Sequence, residues 1–506
     1  MLLLALVLTV IPSVAFSQLF RVYTDVVDKI RSEGTENSQI EDLSFWFTDY
    51  SGPRLTASDG GDRGNEIAIR KMEEYGFSNV RLEYARNFAR GGWDNLKTYA
   101  AMTKPYYTAF SANPVAWTGS TPGPIVSEVI LVDIQSPEDI EKYRGTLRNK
   151  IVMRPSNATY RPNFNPLARR FTHEQLESMT RMPEQRQQAP RQQQTPEQRE
   201  RIMSQRALNQ AINDLIEEEQ PAVILRSSGV FNVPRATGAR YTQGNPEPTC
   251  QVLLPIEAFG RMQRLLENGI PVEMEMEITN KFNDNNTIYN VIGEIPGTDP
   301  NLRDEVVIIG GHIDSWHGAP GAADNAAGCI VMIEAARILL AIDAQPRRTI
   351  KVALWGGEEQ GLHGSRGYVE QFLWDSDNGE PRPGYDKFQI YLNMDNGTGR
   401  YRGIYSQGNE GAMEVFRAWL SPFADMEATT VSPRGTGSTD HVAFNAVGLP
   451  GFQFIQDPIE YGRGYHTIMD TYERLLMDDL RQNAIITASL AYHAAMLNER
   501  FPRVER

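Results

Sequence analysis

Two histidines and a set of carboxylates stand at the ends of apolar runs in this sequence. His312 and Asp314 follow EVVIIGG (305–311), and Asp324 and Asn325 precede the apolar segment 326–342. Glu358 and Glu359 follow TIKVALWGG (349–357), Asp395 closes FQIYLNMD (388–395), and Tyr465 and His466 lie beyond PGFQFIQ (450–456). Imidazole and carboxylate groups without cysteine form a ligand set for divalent zinc, and their number suits two ions about 3.5–4 Å apart. The carboxylates of Asp324, Glu359 and Asp395, with one bridging hydroxide, would neutralise two such ions. Asp324 suits a bridge, because its side chain is short and its two oxygens can splay. Adjacent side chains of an extended segment point to opposite sides. One of Glu358 and Glu359 can therefore bind metal while the other faces the bridging water as general base. A single His-x-Asp is ordinarily a capped turn, and a single Glu-Glu a solvated face. Their joint occurrence at successive strand ends is what points to chemistry.

These residues need elements that converge on one edge. From residue 286 onward apolar strands alternate with helical segments. That pattern predicts an α/β fold with a mainly parallel sheet covered by helices on both faces. Sites in such sheets form beyond the carboxyl ends of the strands. Residues 411–423 and 478–498 read as helices, the latter terminal. Upstream, 22–50 is helical, Gly52-Pro53-Arg54 breaks it, and 62–75 is an amphipathic helix stopped by Gly76. A strand follows at 79–84. Short strands at 125–133, 150–155, 222–227 and 272–282 form a separate β-rich run. In the last of these Val272, Met274, Met276 and Ile278 alternate with polar residues. Residues 161–206 are rich in Gln, Arg and Pro and poor in apolar side chains. They read as an exposed, flexible or fraying insertion.

The expected organisation is a leader over 1–17, a first part of the α/β domain over 18–125, an insert over 126–283 and the main part of the α/β domain over 284–506. The leader rests on the apolar run LLLALVLTVI and small residues before a cut after Ser17. Such a run is too short to span a membrane. It implies an exported protein, secreted or periplasmic, without stable membrane insertion. The 506 residues carry a formal net charge of −14, which argues against a nucleic-acid partner. Only Cys250 and Cys329 occur, too few for a disulfide scaffold or a Cys-rich zinc module. Cys329 lies in an apolar helix and reads as a buried thiol.

The strings HIDSWHGAPGAADNAAG, LWGGEEQGLHGS, NMD, GSTDHVAF and YHTIMDT resemble the motifs of the co-catalytic di-zinc exopeptidases, the zinc aminopeptidase family. The upstream segments GPRLTAS and GFSNVRLE extend the similarity toward a carboxypeptidase branch of that family. The resemblance implies an α/β peptidase domain with an inserted β-rich protease-associated domain, which the run 126–283 resembles. It implies two Zn2+ per chain, one held by His312, Asp324 and Asp395 and the other by Asp324, Glu359 and His466. It makes Glu358 the general base, Asp314 the acid that orients His312, and Tyr465 an oxyanion-stabilising group. Asp314 and Glu358, acids beyond those that would bind zinc, make a negative rim suited to a free α-ammonium, so the expected activity is removal of N-terminal residues from short peptides or dipeptides. A dipeptidase or carboxypeptidase is the alternative. A glutaminyl cyclase of the same fold would use one zinc and a smaller ligand set, and a non-enzymatic ectodomain would have lost ligands or base. His317 and His363 lie in site loops, where they could be near substrate. Asp440 and His441 read as pocket wall. His173 and His493 carry no functional reading. Glycosylation-type triplets begin at Asn157, Asn285 and Asn396.

Overall fold

A computed structural model describes residues 19–183 and 195–504. The expected leader, residues 1–17, lies outside the described residues. Among those residues no helix is long and apolar enough to cross a membrane.

The larger lobe is built on an eight-stranded sheet: β1 (Ser78–Asn87), β2 (Thr287–Ile295), β3 (Val306–His312), β4 (Thr349–Trp355), β5 (Phe388–Asn393), β6 (Tyr401–Tyr405), β7 (Thr430–Ser432) and β8 (Gly451–Gln456). Their spatial order is β1-β2-β4-β3-β5-β8-β6-β7. The central four, β4, β3, β5 and β8, are mutually parallel. Both flanks are not. β1 pairs antiparallel with β2, β2 with β4, and β6 with β8. The sheet is therefore mixed, where a mainly parallel one was expected. The apolar runs identify the buried centre. The edge strand β1 is half exposed, whereas β6 is buried and was missed because Arg402 and Gly403 interrupt its apolar pattern.

Helices α1 (Thr24–Glu36), α2 (Asp59–Glu74), α3 (Ala327–Ala341) and α4 (Met477–Met496) complete this lobe. α3 is apolar and buried on nearly all sides, because it packs against the sheet, α4 and α1. A Cβ at Gly328 would sit 2.6 Å from the Met394 carbonyl oxygen, so glycine is what lets α3 begin against the end of β5. On the opposite face Trp355, Tyr368, Tyr391 and Phe444 form an aromatic cluster. Cys250 and Cys329 are both free and buried, one in each lobe.

The second lobe is another eight-stranded sheet, with Met102, Met274, Met276, Ile278 and Phe259 in its core. It draws on residues before 126. Strand Gly92–Lys104 pairs antiparallel with Glu273–Asn283, beginning with Gly92 opposite Asn283. Part of the polar stretch 161–206 is tied down, although it was expected to be exposed. The Arg169 N–H donates to the Ile459 carbonyl at 3.1 Å, closing a bridge to the larger lobe. The Phe171 N–H donates to Asp457 at 2.8 Å, and Arg170 pairs with Asp457 at 3.0 Å and Asp479 at 2.7 Å. A short helix, His173–Met179, follows behind a Thr172/Gln175 capping box and buries Leu176. Helix Pro196–Glu219 starts exposed and buries only Ile212, Leu215, Ile216 and Glu219 near its end.

Candidate metal centre

Strands β3, β4, β5 and β8 run in the same direction, so the segments leaving their carboxyl ends meet at one edge of the sheet. The His312 Nε2 atom lies 3.3 Å from an Asp324 oxygen and 3.4 Å from an Asp395 oxygen. The second Asp324 oxygen lies 3.0 Å from His466 Nε2, which is also 3.0 Å from Glu359. Two groups result, His312–Asp324–Asp395 and Asp324–Glu359–His466, sharing Asp324. Each could hold one cation. Within them His312 Nε2, one oxygen each of Asp324 and Asp395, and Glu359 Oε1 are buried without a hydrogen-bond partner. Buried polar atoms are nearly always satisfied. Four orphans converging from separate elements fit a pair of cations held by nitrogen and oxygen donors.

The electrostatics carry the same signature. Burial alone would lower the His466 imidazole, but the adjoining carboxylates of Asp324 and Glu359 outweigh it and hold it up at about 10. Burial, and next the Asp324 charge, push Glu359 up to about 8. Burial also pushes Glu358 well above the usual carboxylate range, with His312 opposing and Asp395 and Asp440 adding to it. So many acids in one buried place need positive charge to remain ionised.

Surrounding residues fix this cluster. Asp314 accepts the main-chain N–H of Glu358 at 3.0 Å and of Glu359 at 3.2 Å. Its own carbonyl lies 3.0 Å from His312 Nδ1, which leaves Nε2 as the free face of that ring. Asp470 accepts the N–H groups of Ala323 at 2.7 Å and Asp324 at 3.0 Å. Arg54 is 1 % exposed and ties the flanking loops by donating to the carbonyls of Ile313, Phe47 and Gly321. Asn325, expected at a helix cap, lies in an irregular turn with non-helical backbone. Its amide donates to the Met394 carbonyl at 2.8 Å, beside Asp395.

Tyr465 faces differently from expectation. Its ring stacks on Tyr461, and its hydroxyl accepts from Arg235 at 3.3 Å. Tyr461 is the tyrosine that feels the centre. Burial first, then the carboxylates of Asp324, Asp395 and Glu359, hold its phenol well above the usual range. His317 is held by the Pro114 carbonyl at 2.7 Å and packs on Trp93. His363 packs on Phe88. Asp440 opens a short helix, His441–Asn445, rather than leading straight into a strand. It is fully buried with both oxygens unpartnered, and burial pushes it up to about 7. Arg54, Asp470 and Tyr461 were not singled out from sequence. The first two sit inside quoted motifs, GPRLTAS and YHTIMDT, and that was their only signal.

Residues 290–491 match the model of peptidase family M28. This segment is an M28 peptidase domain. Carboxypeptidase Q of Mus musculus is 24% identical over 474 residues, covering 92% of this chain and 88% of the relative. Among solved structures, an M28 peptidase precursor from Shewanella amazonensis SB2B aligns with a TM-score of 0.65 at 20% identity, over 95% of this chain and 99% of the other. A zinc aminopeptidase from Bacillus subtilis aligns with a TM-score of 0.53 at 17% identity, over 94% and 95%. The two alignments show that this chain shares the fold of these structures. The protein is a peptidase, a hydrolase.

Proposed function

We propose that this protein is an exopeptidase that binds two zinc ions per chain and removes the N-terminal residue from short peptides, dipeptides included. The observation that carries the reading is the pair of three-residue groups sharing Asp324, each with orphaned buried donor atoms. His312 and Asp395 would hold one ion, Glu359 and His466 the other, and Asp324 both. When bound, the zinc pair supplies Lewis acidity and lowers the pKa of water toward 7. Glu358, held by its main-chain N–H on Asp314, takes the proton of the attacking water and returns it to the leaving amine. Asp314 and Asp470 hold the backbone of Glu358, Glu359 and Asp324 so that these side chains do not swing. Tyr465 can reach the developing oxyanion only if its hydroxyl leaves Arg235, and Tyr461 stands behind it. A one-zinc cyclase would leave the orphaned atoms of His312 and Asp395 without purpose. The second lobe reads as a protease-associated-like insert, and the apolar run at 2–11 supports export.

The deciding experiment is hydrolysis of a dipeptide panel with free and blocked ends by zinc-loaded protein. N-acetylation abolishes cleavage if the reading holds. Cleavage of acetylated peptides with release of the C-terminal residue would make the protein a carboxypeptidase instead.

A further inference from the structure

The second lobe delivers a cation to the open side of the metal centre. His466 is the most exposed of the five clustered side chains, at 28%, against 9% or less for the others, so substrate enters on its side. The chain at 235–236 runs antiparallel to this segment. Arg235 pairs with Thr467, and the Ala236 N–H donates to the His466 carbonyl at 2.6 Å. The Arg235 guanidinium lies 4.5 Å above the centre of the Tyr465 ring, and that ring lies 4.5 Å from the His466 imidazole. Nη1 donates to the Tyr465 hydroxyl and Nη2 to the Gly462 carbonyl, each at 3.3 Å. Nε is buried and has no partner. Among the described residues no carboxylate forms an ion pair with this guanidinium, in a chain with a net charge of −14. A half-buried guanidinium among acids, paired with none and with a donor to spare, is placed for an anion that arrives with the ligand.

The reach selects that anion. With the scissile carbonyl at the metal pair, the terminal carboxylate of a dipeptide lies one residue further, roughly 4 Å away. A charge-assisted hydrogen bond adds about 3 Å. The two ring-steps of 4.5 Å each put the guanidinium at most 9 Å from the ligand histidine's ring, a distance of the same order as that total. In a longer peptide the same place holds a neutral amide. We propose that Arg235 is the binding residue for the free C-terminal carboxylate of a dipeptide substrate; this rests on the peptidase reading above.

The test measures binding and turnover separately. Zinc-loaded Glu358→Gln protein, with and without Arg235→Met or Arg235→Lys, is titrated calorimetrically with Ala-Ala, Ala-Ala-amide and Ala-Glu-amide. Glu358-intact proteins are assayed on the same peptides. Arg235→Met keeps the packed stem and removes the charge. Ala-Ala is expected to bind roughly ten- to hundredfold tighter than its amide. Arg235→Met brings the ratio near one, and Arg235→Lys restores part of it. The same pattern is expected in KM more than in kcat. A ratio near one in the parent protein, or one that survives Arg235→Met, overturns the assignment. Ala-Glu-amide binding as tightly as Ala-Ala would show that an acidic side chain is read instead, and also overturns it. If the binding preference is present while no peptide is cleaved, the peptidase reading fails and the carboxylate subsite stands.

Discussion

Glu358 and Glu359 are neighbours in the chain with different surroundings. Glu359 meets His466, whereas Glu358 meets the charges of His312, Asp395 and Asp440. Glu358→Gln should therefore keep its zinc and lose roughly 10²–10⁴-fold in kcat, as removal of a general base does. Glu359→Gln should bind zinc more weakly, by equilibrium dialysis, before any effect on kcat at saturating metal. The reverse pattern would exchange their roles. Asp314 makes a further prediction. Asp314→Ala removes the acceptor for two main-chain N–H groups, so both metal affinity and kcat should fall, unlike either Gln variant. His312, Asp324, Glu359, Asp395 and His466 lie together in the fold, and all but His466 stand close to an apolar run readable in the sequence. Arg235 was not legible. It lies far from every motif in sequence, on another lobe, and only the tertiary fold brings it to His466. The orientation of Tyr465 was equally hidden, since adjacency to His466 in sequence says nothing about which way its hydroxyl turns.

At the scale of elements, the segment 169–179 behaves as part of the larger lobe. Asp457 is fully buried and meets Arg170, Arg400 and Arg402, so Arg170 is one of three cations neutralising it. Arg170→Ala should speed amide hydrogen exchange over 171–179 about tenfold, with the core strands unaffected. Unchanged exchange would show that the short helix holds itself. Composition hid this contact, because a few anchoring residues sit in a stretch otherwise polar. Helix α4 makes a pH prediction. His493 is buried, contacts the Ser489 carbonyl through Nδ1 and accepts the Tyr23 N–H on Nε2 at 3.1 Å. Burial pulls its imidazole down to about 4. An unfolded histidine titrates near 6.5, so between those values the unfolded chain binds the extra proton. Stability should thus be full above about pH 6.5 and fall as pH drops toward 4. In urea titrations His493→Gln should lose stability less steeply over that window, by up to about 1.4 kcal/mol per pH unit. An equal slope would mean that His493 is not buried in its neutral form.

For the whole molecule, metal is expected to couple the elements that meet at the centre. Metal analysis of reconstituted protein should find about two zinc ions per chain, and a chelator should abolish hydrolysis. Ligands that bind only the folded state stabilise it by mass action, by about 4 kcal/mol at a thousandfold excess over Kd, so Tm should rise with zinc and fall with chelator. A Tm indifferent to zinc would argue against sites built from four separate strand ends. The two-lobe architecture was partly legible. Alternating strands marked a second β-rich unit, but its first strand, Gly92–Lys104, carries polar residues through its middle and is indistinct until it meets its partner. That partner brings a consequence of its own. Gly92 and Asn283 face each other on one rung, so the chain leaves the larger lobe and returns to it through a single doorway. An excursion of this kind behaves as a cassette. A short turn joining residues 91 and 284 would reseal the larger lobe without shifting β1 or β2, and a different lobe could be grafted through the same opening. Such an exchange would carry away Arg235 together with the 169–179 contacts on Ile459, Asp457 and Asp479, so substrate choice could be traded only if the graft also replaced that anchor.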